Sequence, residues 1–319
     1  MWRADRTVAG AERPASRDIP ALNRLFSDAF TERYRRDGMP GVRVPYLNPM
    51  IWEYAIADAG EGAMVWRDGR GDLVAFNMVH RSGREGWMGP LAVRVDRQGS
   101  GLGQRIVGDG IAWLQQQGAT TIGLETMPRT VENIGFYSRL GFRPGPLTIT
   151  LQGDAQAALI QGSARLGDLG AGERAAQLEA CRRLTDRLAP GVDFTRELEI
   201  TLALGLGDVT LLEEDGTLRG FALWHTAPLA DGRGAEDLRI LKLVASDLVT
   251  ARRLVSAAAA EAAHRRLAHV TLRCQGTAAG LYGTLIEAGW RVQWTDLRMI
   301  LASHPAPPQD GVVLSNWEI

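Results

Sequence analysis

The sequence predicts an α/β fold with a mixed sheet, laid out twice along the chain. Three observations predict it. A strand, a glycine-rich turn and an amphipathic helix follow one another from Leu91 to about Gln117. Short apolar strands alternate with helical patterns on either side of that unit, which is how a sheet covered by helices reads. The order of elements in the first half then recurs in the second. At 319 residues, 45% hydrophobic and 23% charged, the chain is long enough for two domains of ordinary size. We expect them at 1–152 and 165–319, joined by an aperiodic stretch of Gly, Ala and Gln between Gln152 and Leu166.

In the first half a strand near Thr7 to Arg13 leads to Asp18, a helix cap, and a helix through about Arg35. A loop holding Gly38, Pro40, Gly41, Pro45 and Pro49 follows. Strands near Ala63 to Arg67 and Leu73 to His80 flank Asp68-Gly69, a hairpin signal. The strand from Trp87 to Val95 contains Pro90, which cannot donate to a ladder and marks a bulge, a break or a strand start. In the next helix Leu102, Ile106, Gly110, Ile111 and Leu114 recur at helical spacing, and Gly118 ends it. A short strand from Thr120 to Glu125 precedes a second helix that starts near Thr130. Gly141 closes that helix and Phe142 begins another strand.

The turn in front of the first of these helices carries Gln98, Gly99, Ser100, Gly101, Leu102, Gly103 and Gln104. The unpaired amides of a helix start and the helix dipole together favour an anion. A P-loop would need a Lys after its last Gly, but Gln104 follows Gly103 and the only Lys is Lys242. A dinucleotide fingerprint would need a third Gly where the chain has Ile106 or Gln104. What survives is Gln98-x-x-Gly101-x-Gly103 between a strand and a helix. Downstream stands Asn133-Ile134-Gly135-Phe136-Tyr137-Ser138-Arg139-Leu140-Gly141-Phe142. The two motifs, in this order and at this distance, resemble the acyl-CoA loop and the second signature of the GNAT acetyltransferase superfamily.

That resemblance implies two tandem GNAT-like domains and acetyl-CoA, or another short acyl-CoA, as co-substrate, with no metal. It implies that the backbone amides of the loop hold the pyrophosphate. Leu91, Ala92 and Val93 would pair with the pantetheine arm as a neighbouring strand would. An amide near Val93 would donate to the thioester oxygen, an oxyanion-hole arrangement. Tyr137 would protonate the departing sulfur, since a phenol is a suitable acid for a thiolate. Asn133 would hydrogen-bond the arm, although in many relatives that Asn lies one turn earlier, where this chain has Thr130. Glu125, at a strand end, is the candidate general base, or else a carboxylate paired with an Arg. His80, also at a strand end, is the alternative base.

The second half follows the plan without the motifs. A helix is predicted over Glu173 to Leu188, then strands at Val209 to Glu213, Leu218 to His225 and Leu238 to Val244. Asp247 to Leu267, His269 to Cys274, Thr277 to Ala288 and Trp290 to Ile300 continue as helix, strand, helix, strand. At the place of the glycine loop stands Ser246-Asp247-Leu248-Val249-Thr250, and Leu285 replaces the tyrosine. This half is expected not to bind CoA. After Pro305 to Pro308, Val312-Val313-Leu314 is expected to return as a strand on a sheet edge.

A net charge of −1 gives no electrostatic case for nucleic acid or an anionic membrane. No segment reaches the apolar length of a membrane span and no signal-peptide core opens the chain. Cys181 and Cys274 form no disulfide framework or metal spacing. A cytoplasmic monomer or homodimer is expected. The leading reading is transfer of an acetyl group to a primary amine of a small molecule by direct attack on the thioester. A non-catalytic acyl-CoA-binding regulator or scaffold, and a protein N-terminal or lysine acetyltransferase, are the alternatives.

Overall fold

The computed structural model describes residues 8–317. The elements run β1 (Val8–Glu12), α1 (Ile19–Arg36), α2 (Pro49–Ala59), β2 (Ala63–Asp68), β3 (Leu73–Ser82), β4 (Glu85–Val93), α3 (Leu102–Gln116), β5 (Thr121–Thr126), α4 (Val131–Arg139) and β6 (Phe142–Asp154). They continue as β7 (Ser163–Arg165), α5 (Ala171–Leu188), α6 (Thr195–Leu204), β8 (Gly207–Glu214), β9 (Thr217–His225), β10 (Asp237–Ala245), α7 (Leu248–His264), β11 (His269–Gln275), α8 (Ala279–Glu287), β12 (Arg291–Leu301) and β13 (Val312–Ser315).

Among the described residues all the strands belong to one 13-stranded sheet in the order β1-β2-β3-β4-β5-β12-β6-β11-β10-β9-β8-β7, with β13 paired to β10. The mixed α/β character expected from the sequence is present: β4–β5 and β10–β11 are parallel and the other pairs antiparallel. The two halves exchange their closing strands. β12, from the second half, lies between β5 and β6, while β6, from the first, pairs with β12 and β11. The position 152 falls inside β6, and 155–162 is the connection that follows it. Main-chain hydrogen bonds therefore run unbroken across the join.

Helices cover both faces. Leu102, Ile106, Val107 and Leu114 of α3 pack on Val79, Met88, Ile122 and Leu124. On the other face α1 and α2 pack Leu22, Trp52 and Ala55 against Val65, Phe76 and Met78. The second half repeats this, with α7 and α8 in one cluster and α5 and α6 in another. Helix α2 shows no amphipathic period because Ile51, Trp52, Tyr54, Ala55 and Asp58 bury most of its circumference. It starts where Asn48 caps Met50 with Pro49 at the first position. The last strand, β13, does not add to an edge: β10 already holds β9 on its other side, so β13 enters the interior of the sheet.

Candidate active site

Strands β4 and β5 pair from Glu85↔Thr121 through Met88↔Leu124 and then part. Beyond Met88, β4 stays bonded to β3 through Leu91↔Asn77, Ala92↔Phe76 and Val93↔Ala75. β5 instead runs on beside β12, through Leu297↔Thr126. A wedge opens between them at Gly89-Pro90, and Pro90 has no N–H to give to a ladder. The Arg94 N–H donates to Val74 O at 2.8 Å. Because successive amides of a strand alternate sides, those of Leu91 and Val93 face the wedge. Val93 O accepts the side-chain amide of Gln98 at 3.1 Å, which ties the strand to the loop.

The loop turns sharply. Gly99 and Gly101 sit at φ +74° and +87°, a region open to glycine but costly for a residue with Cβ. Nothing lies within 4 Å of where a Cβ would project at either, so the space before the helix is clear. Ser100 Oγ donates to Arg97 O at 2.6 Å and holds the turn. Gly101 is the N-cap of α3, and the amides of Leu102, Gly103 and Gln104 begin the helix without partners one turn back. Gly103 lies against the Phe136 ring, 3.5 Å from its Cβ position, so loop and second motif are in contact.

Tyr137 is on the buried face of α4, between the rings of Phe136 and Phe142 at 5.1 and 6.0 Å. Burial raises its phenol above the ordinary value, so the proton stays on at neutral pH. Asn133 Nδ2 donates to Thr126 Oγ1 at 3.3 Å and joins the first turn of α4 to the end of β5.

The two candidate bases are both occupied. Glu125 is buried, with Arg273 at 2.6 Å, Arg298 at 2.9 Å and the Thr148 hydroxyl at 2.5 Å. Burial alone would raise its carboxyl, but Arg298 and Arg273, with the Thr148 hydrogen bond, outweigh that and hold it at about 2. A carboxylate so placed is a fixed negative charge and accepts a proton poorly. His80 is stacked on Trp87 at 3.9 Å, and both its nitrogens are engaged, Nδ1 by Asp58 at 2.5 Å and Nε2 by Gly89 O at 3.0 Å. It grips the backbone where the wedge begins. Neither Arg273 nor Arg298 carries a local motif, and they reach Glu125 from 148 and 173 residues away, so only the tertiary structure reveals them.

Among the described residues no helix is long and apolar enough to cross a membrane. None of the described His, Cys, Asp and Glu cluster to hold a metal.

A forked pair of parallel strands, a left-handed glycine turn at a helix start and a buried tyrosine thus lie together in the first half of the chain. Residues 19–142 match the model of the acetyltransferase (GNAT) family. Solved structures share the fold over nearly the whole length. A GCN5-related N-acetyltransferase from Sphaerobacter thermophilus is 18% identical, with a TM-score of 0.60 over 96% of this chain and 98% of that one. A tandem GNAT protein from the clavulanic acid biosynthesis pathway is 11% identical, with a TM-score of 0.60 over 94% and 99%. N-myristoyltransferase of Saccharomyces cerevisiae, solved with myristoyl-CoA, is 10% identical, with a TM-score of 0.65 over 98% and 86%. No curated protein sequence matches the chain.

Proposed function

We propose that the first half binds acetyl-CoA in the β4–β5 wedge and transfers the acetyl group to a primary amine of a small molecule. The observation that carries this reading is the one-sided pairing of β4 from Leu91 to Val93 beside the clear space at Gly99 and Gly101. A pantetheine arm, with its own amides, is the shape and chemistry that would complete such a strand. The pyrophosphate would then meet the amides from Gly101 to Gln104.

In the proposed reaction the amine nitrogen attacks the thioester carbonyl carbon, and the carbon–sulfur bond breaks. The Leu91 and Val93 amides face the oxygen that gains charge in between, and fixed donors of this kind stabilise the transition state without reorganising. The leaving sulfur takes the proton of Tyr137, and the phenolate regains one from solvent. The amine must arrive neutral to attack, and its nitrogen gives up a further proton as the amide forms. The pairing of Glu125 suits it to hold β5, β11 and β12 in place, and His80 to fix Gly89. We therefore assign both to positioning and leave deprotonation of the amine to solvent.

Calorimetry tests the wedge. Gly101→Glu puts a carboxylate at the pyrophosphate position and is expected to abolish acetyl-CoA binding in a folded protein. Unchanged affinity would remove the loop from the site. A panel of amines scored by free CoA identifies the acceptor. Acetylation of peptides alone would place the protein among the protein acetyltransferases, and binding with no turnover on any amine would make it a regulator.

A further inference from the structure

The second half has a wedge of its own. β10 and β11 pair from Asp237↔His269 through Ile240↔Leu272 and then part, as β4 and β5 do after Met88. Counted from the first paired residue of each strand, Leu91, Ala92 and Val93 correspond to Leu243, Val244 and Ala245. Those three residues are bonded to β13, as Leu243↔Leu314, Val244↔Val313 and Ala245↔Val312. The place left open in the first half is filled in the second by the chain's own carboxy-terminal strand.

The anion position is filled as well. The N-cap of α7 is Asp247, where α3 has Gly101. Its carboxylate accepts the Thr250 amide at 2.7 Å and the Ser246 hydroxyl at 3.0 Å, with Arg219 at 3.3 Å. Gly311 admits the strand at φ +63°, since a Cβ there would lie 2.4 Å from Ala245 O. The only lysine of the chain, Lys242, is 3% exposed and donates to Ser315 Oγ at 3.2 Å and Asn316 O at 2.9 Å. The tail then crosses into the first half. Ser315 donates to Glu85 at 2.5 Å, and Trp317 lies buried over Gly123 under the Arg298 guanidinium at 3.8 Å. Its carbonyl is 3.4 Å from the Cβ position of Gly89, where the first wedge begins.

We propose that the second wedge is a peptide-binding site whose resident ligand is residues 311–317 of the same chain. An extended peptide takes the position of the arm and Asp247 that of the phosphate. Through Trp317 the occupant also forms part of the floor beneath the first wedge. The proposal rests on the strand pairing and not on turnover by the first half.

A protease site placed in the exposed 305–309 segment tests it on the full, folded chain. After cleavage the tail is expected to remain bound through size exclusion and to leave only in denaturant. A synthetic peptide of residues 310–319 is expected to bind the depleted chain one to one, and the same peptide with Val313→Asp and Leu314→Asp is not. Release of the tail on cleavage with no change in tryptophan fluorescence would overturn the proposal. So would displacement of the tail by millimolar acetyl-CoA with uptake of a second equivalent. Should the depleted chain aggregate, hydrogen exchange on the intact protein decides. The Val312–Ser315 amides are expected to exchange as slowly as those of β10, with or without acetyl-CoA, and exchange as fast as 305–309 would overturn the proposal. Failure to bind any acetyl-CoA would refute the proposed function and leave this result standing.

Discussion

Tyr137 and Glu125 are both buried, yet burial acts on them in opposite ways. Tyr137 packs among the rings of Phe136 and Phe142 and the aliphatic side chains of the first-half core, and burial keeps its proton on at neutral pH, so the phenol is present in its proton-donating form. Tyr137→Phe keeps the packing and removes the proton. Turnover is expected to fall by ~10²–10⁴-fold with acetyl-CoA affinity nearly unchanged, the usual worth of a general acid. Wild-type turnover in that variant would make Tyr137 a packing residue. Glu125 lies between two guanidiniums, and its carboxyl is held at about 2 against an ordinary 4.5. A carboxyl depressed on folding stabilises the fold above its unfolded value, and that contribution is lost as pH falls from about 4.5 toward 2. The shift corresponds to on the order of 3 kcal/mol. Glu125→Gln should therefore lower stability at pH 7 by roughly 3 kcal/mol in urea melts and flatten the acid limb of the stability profile. It should leave the near-neutral limb of the rate profile in place, and movement of that limb would restore Glu125 as the base. Tyr137 was legible from its motif and Glu125 from its place at a strand end, but the partners that decide the chemistry of Glu125 were not, because they come from β11 and β12.

At the scale of elements, the strand, turn and helix from Glu85 to Gln116 were readable because their signals are local. Glycines at left-handed positions and an apolar period along α3 need no distant partner to be recognised. α2 and α6 were missed. The first is apolar nearly all round, and the second is short, with only Glu197, Leu198 and Thr201 buried. β13 was recognised as a strand, but its place was not, because apolar alternation does not distinguish an edge from a gap inside the sheet. One consequence is a glycine on β5 that no turn requires. A Cβ at Gly123 would lie 2.1 Å from the Trp317 ring and 3.0 Å from Met299 O. Gly123→Ala is expected to destabilise by ~1–3 kcal/mol, the cost of overpacking a filled core, with a blue or red shift of tryptophan emission. A variant that melts with the wild type would place the Trp317 ring elsewhere.

Over the whole molecule, the exchange of β6 and β12 makes the halves interdependent. The join carries a charge arrangement that two identical halves could not form. Glu125, fourth after the first paired residue of β5, meets Arg273, fourth after the first paired residue of β11, at 2.6 Å. Arg273 also pairs with Asp296 of β12 at 3.0 Å. Cutting the connection at 155–162 should therefore leave the pieces associated, and size exclusion should return one species of full mass. Residues 1–154 expressed alone lack the β12 neighbour of β5 and should not bind acetyl-CoA until the second piece is supplied. A first piece that folds and binds alone would mean that the exchanged strands add little.

The sequence by itself determined the class of fold, the glycine turn before α3, the tyrosine that follows it and the absence of both motifs from the second half. Each is written in residues a few positions apart, where helical period, glycine conformation and capping act. Only the tertiary structure decided which strands neighbour one another, what neutralises Glu125 and what fills the second wedge. Those outcomes depend on main-chain hydrogen bonds and ion pairs between segments more than a hundred residues apart. The same strand pattern satisfies such bonds in more than one order, and the buried surfaces and charges of the assembled sheet select among them.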